Sequence, residues 1–327
     1  MATGVEASEE QRQIRIFSII VVYKAIPLRT PSFLTLQRAR EAVPPDRLEL
    51  KTLLYDNSCG GQDPGAMPDG VEYFAASQNE GLSNAYNHGL RMAASNGYDW
   101  LLTLDQDTTL PEDFLFRITE TASAIQDDLS IAAILPLITE SGKTHSPYWF
   151  FAGALPRYYT AGTVQVSTHD TYAFNSASTL RVAALIEAGG YNPWFWLDYS
   201  DGYIFRQLHR GGKHVFIAGN IEVNHNYASS DLESRVTLSR YRNMRLAESA
   251  FWDLEMGVLA GLERTFGLAT VMLRHILFRD FLEYKAITFE FLKRRLFWTR
   301  KKRLDAWRAE TLQQFPHLSQ SRLPPFI

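Results

Sequence analysis

Two carboxylates one residue apart, Asp105 and Asp107, are the clearest candidates for chemistry in this sequence. They follow the apolar run from Trp100 to Leu104, which predicts a buried strand ending at the two acids. Such a pair suits a hard divalent cation, Mg²⁺ or Mn²⁺, which would in turn hold a diphosphate. Because two acids at this spacing arise by chance about four times in such a chain, the hypothesis depends on their position at a strand end.

Further polar clusters lie at the ends of neighbouring predicted elements. Asp56-Asn57-Ser58 follows a strand, and Asn79-Glu80-Gly81 begins a helix. Strands and helices alternate over the first 130 residues, which predicts an open, parallel α/β sheet whose ligands bind at the carboxyl ends of its strands. The predicted strands are 16–23, 48–55, 71–75, 100–104 and 131–138, and the predicted helices are 32–43, 81–96 and 111–125. In the less regular middle of the chain, 163–166 and 173–180 are predicted strands. The three clusters therefore predict one shared ligand crevice.

Composition limits the class of protein. With 327 residues, of which 46% are hydrophobic and 21% charged, the chain is long and apolar enough for one large domain or two ordinary ones. Its only cysteine, Cys59, excludes an intrachain disulfide and a multi-cysteine metal site. The sequence shows neither an 18-residue apolar span nor a signal-peptide pattern, so we expect a cytoplasmic protein.

Charge is distributed unevenly along the chain. From Arg264 to Arg303, eleven basic residues against three acidic ones give +8, which leaves −11 for the rest. An acidic body argues against a nucleic-acid partner. Two hypotheses for the tail, residues 278–307, stay open: a helix packed on the body or in a homodimer, and an amphipathic segment that binds anionic lipid with about 1 kcal/mol per basic residue.

Five segments resemble, in the expected order, the glycosyltransferase family 2 enzymes of the GT-A fold, and most closely their bacterial rhamnosyltransferase branch. The segments are Val21-Val22-Tyr23, Tyr55-Asp56-Asn57-Ser58, the N-x-G-x-x-x-A-x-N-x-G pattern from Asn79 to Gly89, Leu102–Asp107, and Gly189-Gly190-Tyr191 followed by Leu197–Asp201. The resemblance covers about residues 14–230. It implies a flexible N-terminus (1–13), a GT-A catalytic domain (14–230) with a nucleotide-sugar half (14–130) and a mixed acceptor half (131–230), and a helical C-terminal region (231–327).

The resemblance also implies roles on the donor side. Asp56 would bind the nucleotide base, with Val22 and Tyr23 lining the base and ribose. Asn79 and Gly81 would lie beside the ribose and diphosphate, where the N–H groups of the following helix favour anions. Asp105 would contact the ribose or the metal. The metal ligands would be Asp107 and His225.

On the acceptor side, Asp201 resembles the family's catalytic base, which deprotonates the acceptor hydroxyl. Asp198 is its rival for that role, and Asp201 could instead be a first-turn carboxylate that only stabilises its helix. We assign Asp198, Ser176 and Trp196 as candidate acceptor-binding residues. Three departures from the family pattern fall here: Tyr203 in place of a Glu, Ala177 in place of a Gly, and Arg206 one position early.

Together these features predict an inverting, metal-dependent transferase that moves L-rhamnose from dTDP-L-rhamnose to a bacterial cell-surface polysaccharide, with a lipid-linked acceptor at the inner face of the cell membrane. The first alternative is a galactofuranosyl- or other UDP-sugar transferase of the same fold. The second is a non-catalytic nucleotide-sugar-binding or membrane scaffold protein. A nucleotidyltransferase is disfavoured, because no Gly-rich, basic phosphate loop follows Tyr23.

Overall fold

The computed structural model describes residues 12–151, 155–225, 236–277, 282–316 and 318. Most of the predicted flexible N-terminus and part of the tail, residues 278–281, lie outside these ranges. The described strands are β1 (Ile14–Val22), β2 (Leu48–Asp56), β3 (Val71–Ala75), β4 (Trp100–Asp105), β5 (Thr108–Thr109), β6 (Ile131–Glu140), β7 (Lys143–Ser146), β8 (Tyr148–Phe151), β9 (Leu155–Tyr158), β10 (Val164–Ser167), β11 (Thr171–Tyr172), β12 (Ser178–Arg181) and β13 (His214–His225). The described α-helices are α1 (Pro31–Glu41), α2 (Gly81–Ser95), α3 (Phe114–Ala124), α4 (Val182–Glu187), α5 (Ser200–Arg210), α6 (Leu238–Glu255), α7 (Val258–Leu277), α8 (Leu282–Phe297) and α9 (Arg300–Gln314).

The central sheet has the strand order β10-β13-β6-β12-β4-β1-β2-β3. The part β4-β1-β2-β3 is entirely parallel, as the alternating strands and helices predict. Beyond β4 the sheet becomes mixed, because β12 runs antiparallel to both β4 and β6 while β13 runs parallel to β6. The predicted α/β, GT-A-like architecture is confirmed. A small antiparallel sheet, β11-β8-β9, lies beside it.

Each face of the central sheet is covered by helices, which explains why its strands are apolar throughout. On one face Phe17 and Ile19 pack against residues of α2, α4 and α5. On the other face Ile16 and Ile20 pack against residues of α1 and α3. Because strand side chains alternate between faces, β1 contributes apolar side chains to both layers.

The helices from α6 to α9 pack on the sheet domain through a third apolar cluster, in which Phe195 and Tyr203 meet Phe251 and Trp307. None of the helices in the described ranges is long and apolar enough to cross a membrane.

Part of the tail's positive charge is neutralised inside this helical region. Asp253 of α6 pairs with Arg295 of α8 and Arg303 of α9, at 2.8 and 2.7 Å. Arg294 is also buried and pairs with Glu310 at 2.7 Å. Arg294 and Arg295 therefore hold helices together and are not available to a membrane, contrary to the use of the whole basic run as one lipid-binding segment.

Candidate functional site

Three parallel strands end together at one edge of the central sheet. In the strand register, Val22 of β1 lies opposite Asp56 of β2, and Val21 lies opposite Asp105 of β4. The carboxylates of Asp56 and Asp105 therefore flank the end of β1, as the sequence predicts for a shared crevice. The apolar runs that precede both acids are what place them at this edge.

The carboxylate of Asp56 is held rigidly. Asp56 is fully buried; one oxygen accepts a hydrogen bond from the Ser58 N–H and the other from the Tyr73 hydroxyl, both at 2.8 Å. Tyr73 also donates toward the Gln62 carbonyl, so its hydroxyl is shared between two acceptors. The sequence gives no sign of Tyr73, because only the β2–β3 register brings it beside Asp56.

Of the two predicted donor-binding residues at the end of β1, Tyr23 is exposed and Val22 is buried. Tyr23 is 42% exposed, and its N–H donates to the Gln106 side chain at 2.8 Å. The Val22 side chain is instead fully buried in the core beneath the sheet. The prediction that Val22 lines the base and ribose thus needs correction: only its backbone, whose carbonyl accepts from the Asn57 N–H at 2.7 Å, borders the crevice.

The amino terminus of α2 differs from the prediction. The N–H of Gly81 donates to the Asn79 side chain at 3.0 Å, and the N–H of Leu82 donates to the Trp196 carbonyl at 2.6 Å. These first N–H groups of the helix are satisfied within the protein. Asn79 and Gly81 therefore form a helix start on which the Trp196 segment docks, and the expected anion site at this terminus is already occupied by a carbonyl oxygen.

Gly81 is required by this docking. It adopts φ +80°, and a Cβ atom there would lie 2.4 Å from the Trp196 carbonyl oxygen. The Trp196 ring is partly exposed and lies against Phe315, with ring centroids 4.6 Å apart. Trp196 is thus the one candidate acceptor residue that offers an aromatic surface near the start of α2.

A buried tyrosine, Tyr86, holds the Asp105 carboxylate by a hydrogen bond. The Tyr86 hydroxyl donates to Asp105 Oδ1 at 2.9 Å. Tyr86 is fully buried, and burial together with the charge of Asp105 raises its pKa well above the ordinary value, so it stays a donor. Tyr86 lies inside the Asn79–Gly89 pattern at a position that the pattern leaves free, which is why the sequence analysis missed it.

Ser176 does not face an acceptor. It is buried, its hydroxyl accepts from the Asp105 N–H at 3.2 Å, and it also bonds to the Thr108 hydroxyl. Its place is to fix the turn between β4 and β5. The next residue, Ala177, adopts φ +62°, a conformation that glycine tolerates best, where the family pattern has glycine.

An open cleft of about 270 Å³ lies beside Asp107. Asp107 and Gln106 form one wall, and the loop after β1, from Ala25 to Pro31, forms the other. Arg29 in that loop is exposed and brings a guanidinium to the same cleft. Arg29 can bind a diphosphate through two of its oxygens, whereas Asp107 would face the same anion through a bound cation.

Strand pairing brings the backbones of the two predicted metal ligands, Asp107 and His225, close together. His225 of β13 lies opposite Thr108 of β5, the residue after Asp107. The described residues contain no group of three His, Cys, Asp or Glu side chains that could hold a metal ion by themselves. Mg²⁺ is commonly held by one or two carboxylates together with substrate phosphates, and Asp105 and Asp107 fit that arrangement.

The two candidate bases lie in different surroundings. Burial raises the pKa of Asp201 to about 7, the charge of Asp105 adds to the rise, and a hydrogen bond from the Gly202 N–H opposes it. Asp198 is 13% exposed and pairs with Arg240 at 2.5 Å. Burial raises its pKa too, while Arg240 lowers it. The pKa of Asp201 thus lies near neutral pH and is raised in part by the charge of Asp105. Asp198, by contrast, already forms an ion pair with Arg240.

Residues 62–189 match the family model described as Glycosyl transferase family 2. This supports the resemblance over the segment that contains the Asn79–Gly89 pattern, Asp105 and Asp107. The roles assigned to all of the site residues stay predictions, and Asp56, Asp201 and His225 also lie outside the matched segment. No curated protein matches the sequence significantly.

Solved structures resemble the chain in fold. GalNAc-T7, in a structure with UDP, GalNAc and Mn²⁺, superposes with a TM-score of 0.50 at 14% identity and covers 96% of this chain. S. aureus TarS gives a TM-score of 0.48 at 13% identity over 81% of this chain. The chain spans 59% of the GalNAc-T7 chain and 44% of the TarS chain. At such identities the likeness concerns the fold alone.

Proposed function

We propose that this protein is an inverting glycosyltransferase that uses a nucleoside-diphosphate sugar as its donor. The observation that supports this best is the edge where β1, β2 and β4 end, which sets Asp56 and Asp105 on either side of β1, together with the cleft lined by Asp107 and Arg29. Asp56 is the proposed acceptor for the imide N–H of a pyrimidine base, and because its carboxylate is fully buried and held by Tyr73, the surrounding loop must open for the base to reach it. Asp105, Asp107 and Arg29 then face the ribose and diphosphate.

Asp201 is the proposed general base. With a pKa of about 7 it is partly ionised at neutral pH and can take the proton of an acceptor hydroxyl. The acceptor oxygen bonds to the anomeric carbon as the bond from that carbon to the diphosphate oxygen breaks, so the sugar configuration inverts and the nucleoside diphosphate leaves. A divalent metal held by Asp107, with His225 as a further ligand, would neutralise charge on the departing diphosphate.

We prefer dTDP-L-rhamnose as the donor, because the motifs resemble those of rhamnosyltransferases. A UDP-sugar, including UDP-galactofuranose, is the alternative, and GalNAc-T7 offers a structure of similar fold with UDP, GalNAc and Mn²⁺. For the acceptor we propose a growing bacterial surface glycan linked to a lipid, reached from the inner face of the cell membrane. Asp198 and Trp196 stay candidates for contacting it.

A donor panel tests this function. The purified chain is incubated with Mn²⁺ or Mg²⁺ and, separately, with dTDP-rhamnose, UDP-galactofuranose, UDP-galactose and UDP-GalNAc, and the release of nucleoside diphosphate is measured with and without glycan acceptors. We expect turnover with one donor and its loss in Asp201→Asn. Donor binding without turnover under every condition would favour the scaffold alternative, which the departures at Tyr203 and Ala177 support. If the chain bound none of these donors, the proposal would be overturned.

A further inference from the structure

Helices α7 and α8 carry a second feature that the donor site does not use. They are neighbours that bury matching faces against α6: the Thr288 hydroxyl of α8 bonds to the Tyr241 hydroxyl of α6 at 2.8 Å and to His275 Nδ1 of α7 at 3.1 Å. All three of these side chains are buried. The opposite sides of α7 and α8 therefore point together, away from the body.

Those opposite sides expose large apolar side chains at helical spacing. Phe266 is 71% exposed, Phe297 79% and Leu262 63%, far above what a packed helix face allows. We call this surface the outer face, and it is formed by Leu262, Phe266, Leu273, Phe289, Leu296 and Phe297. The hydrogen bond from Arg295 to the Gly261 carbonyl, at 3.1 Å, sets the end of α8 beside the start of α7, so these residues form one patch. A continuous apolar patch of this kind marks an interaction site.

The charges around the outer face are mostly positive. In the described parts of α7, of α8 and of the first turn of α9, the exposed charged residues are the acid Glu283 and the cations Arg274, Lys293, Arg300, Lys301 and Lys302. Lys293 sits over the Phe289 ring and Lys302 over the Trp298 ring, at 4.9 and 4.5 Å, so each cation borders an aromatic surface.

We propose that the outer face docks the protein on an anionic lipid surface, with the apolar side chains entering the headgroup layer and Lys293, Arg300 and Lys302 contacting lipid phosphates. A second copy of the chain fits less well. A two-fold interface would bring the same cations of both copies toward one another. The surface is also distinct from the basic run as a whole, because Arg294 and Arg295 are committed to internal ion pairs.

Vesicle co-sedimentation of the full chain tests the proposal. The vesicles contain 30% phosphatidylglycerol in phosphatidylcholine, or phosphatidylcholine alone, at low and at physiological salt. We expect binding to the anionic vesicles that weakens as salt rises, since the Debye length falls to about 8 Å. Each basic residue near the surface contributes about fivefold, so Lys293→Gln, Arg300→Gln and Lys302→Gln combined should weaken binding on the order of 100-fold.

Matched variants separate charge from apolar insertion. The exposed cations Arg38, Arg91 and Lys143 lie away from the outer face, and their combined change to Gln removes the same charge but should leave binding within about twofold. Phe266→Ser with Phe297→Ser should abolish binding and keep the melting temperature, because both rings are exposed. Equal loss in both charge variants, or equal binding to neutral vesicles, would overturn the proposal.

Sedimentation velocity without lipid gives the remaining outcome. If the wild type is a dimer that the Phe266 and Phe297 changes convert to a monomer, and no vesicle binding is seen, the outer face is a contact between copies and the proposal fails. Because these experiments use no nucleotide sugar, their failure leaves the proposed glycosyltransferase function untouched.

Discussion

Asp201→Asn is the change that best separates catalysis from a structural role. Burial lifts the pKa of Asp201 from an ordinary 3.8 to about 7, roughly three pKa units. A raised pKa means that the folded state binds the proton more tightly than the unfolded chain does. The stabilising contribution of the protonated Asp201 carboxyl is therefore fully present below about pH 3.8, and it is lost as the pH rises through about 7.

The size of that loss follows from the shift. At about 1.4 kcal/mol per pKa unit, an ionised Asp201 costs the folded state about 4 kcal/mol at pH 8. Asparagine cannot ionise, and its side-chain oxygen can still accept the Gly202 N–H that Asp201 accepts at 2.7 Å. We therefore expect Asp201→Asn to raise the melting temperature at pH 8, on the order of 5 °C, with a smaller gain at pH 5.

The same variant should lose turnover by a hundredfold or more while still binding donor, because a general base is missing. Thermal unfolding at pH 5 and pH 8 and nucleotide release are measured on one preparation. Asp198→Asn is the control: burial also raises the pKa of Asp198, but Arg240 opposes the rise, so this variant should gain less stability at pH 8 than Asp201→Asn does. If Asp201→Asn melted lower at pH 8, Asp201 would be a helix-stabilising carboxylate. If Asp198→Asn alone were inactive, the base would be misassigned.

Three further changes probe the support of the donor site. Asp107→Ala should lose metal-dependent donor binding in calorimetry, and an excess of chelator should stop turnover; full activity in chelator would contradict a metal role. Tyr86→Phe removes one hydrogen bond to Asp105 and should lower stability by about 1 kcal/mol, with weaker donor binding; an unchanged donor affinity would show that Asp105 needs no support. Gly81→Ala places a methyl group against the Trp196 carbonyl at a positive φ, so denaturant unfolding should show a loss of roughly 2 kcal/mol or more; a neutral effect would show that this segment moves freely.

The parallel half of the fold follows from the sequence because its signals are local. Strand 71–75 is found as predicted, and the strand at Trp100 extends one residue further, to Asp105. The acidic and amide residues that end these strands identify the crevice for the same reason. The helix predicted to begin at Pro111 begins three residues later, because α3 starts at Phe114.

The mixed half is poorly predicted because pairing there joins distant segments. The stretch 173–180 reads as one strand, yet only Ser178–Arg181 pairs, between β4 and β6, after Ala177 turns the chain. The short strands β7, β8 and β9 have no distinct periodicity, and each depends on a partner strand, β7 on β6 and β8 and β9 on each other. Contacts such as Tyr73 with Asp56 and Arg240 with Asp198 join residues 17 and 42 apart, so no local pattern reveals them.

The ion pairs of Asp253 have a consequence for the order in which the chain can complete its fold during synthesis. Asp253 is made early, on α6, but its two arginine partners arrive on α8 and then on α9. Until residue 303 has left the ribosome, Asp253 lacks one of the two arginines that compensate its buried charge. Packing α6 against the other helices therefore carries a desolvation cost until α9 has been made. The same reasoning applies to truncation. A chain shortened before α9 to aid crystallisation would remove Arg303 and Glu310 and leave their partners facing water or an apolar core, so the last helix should be treated as part of the folding unit.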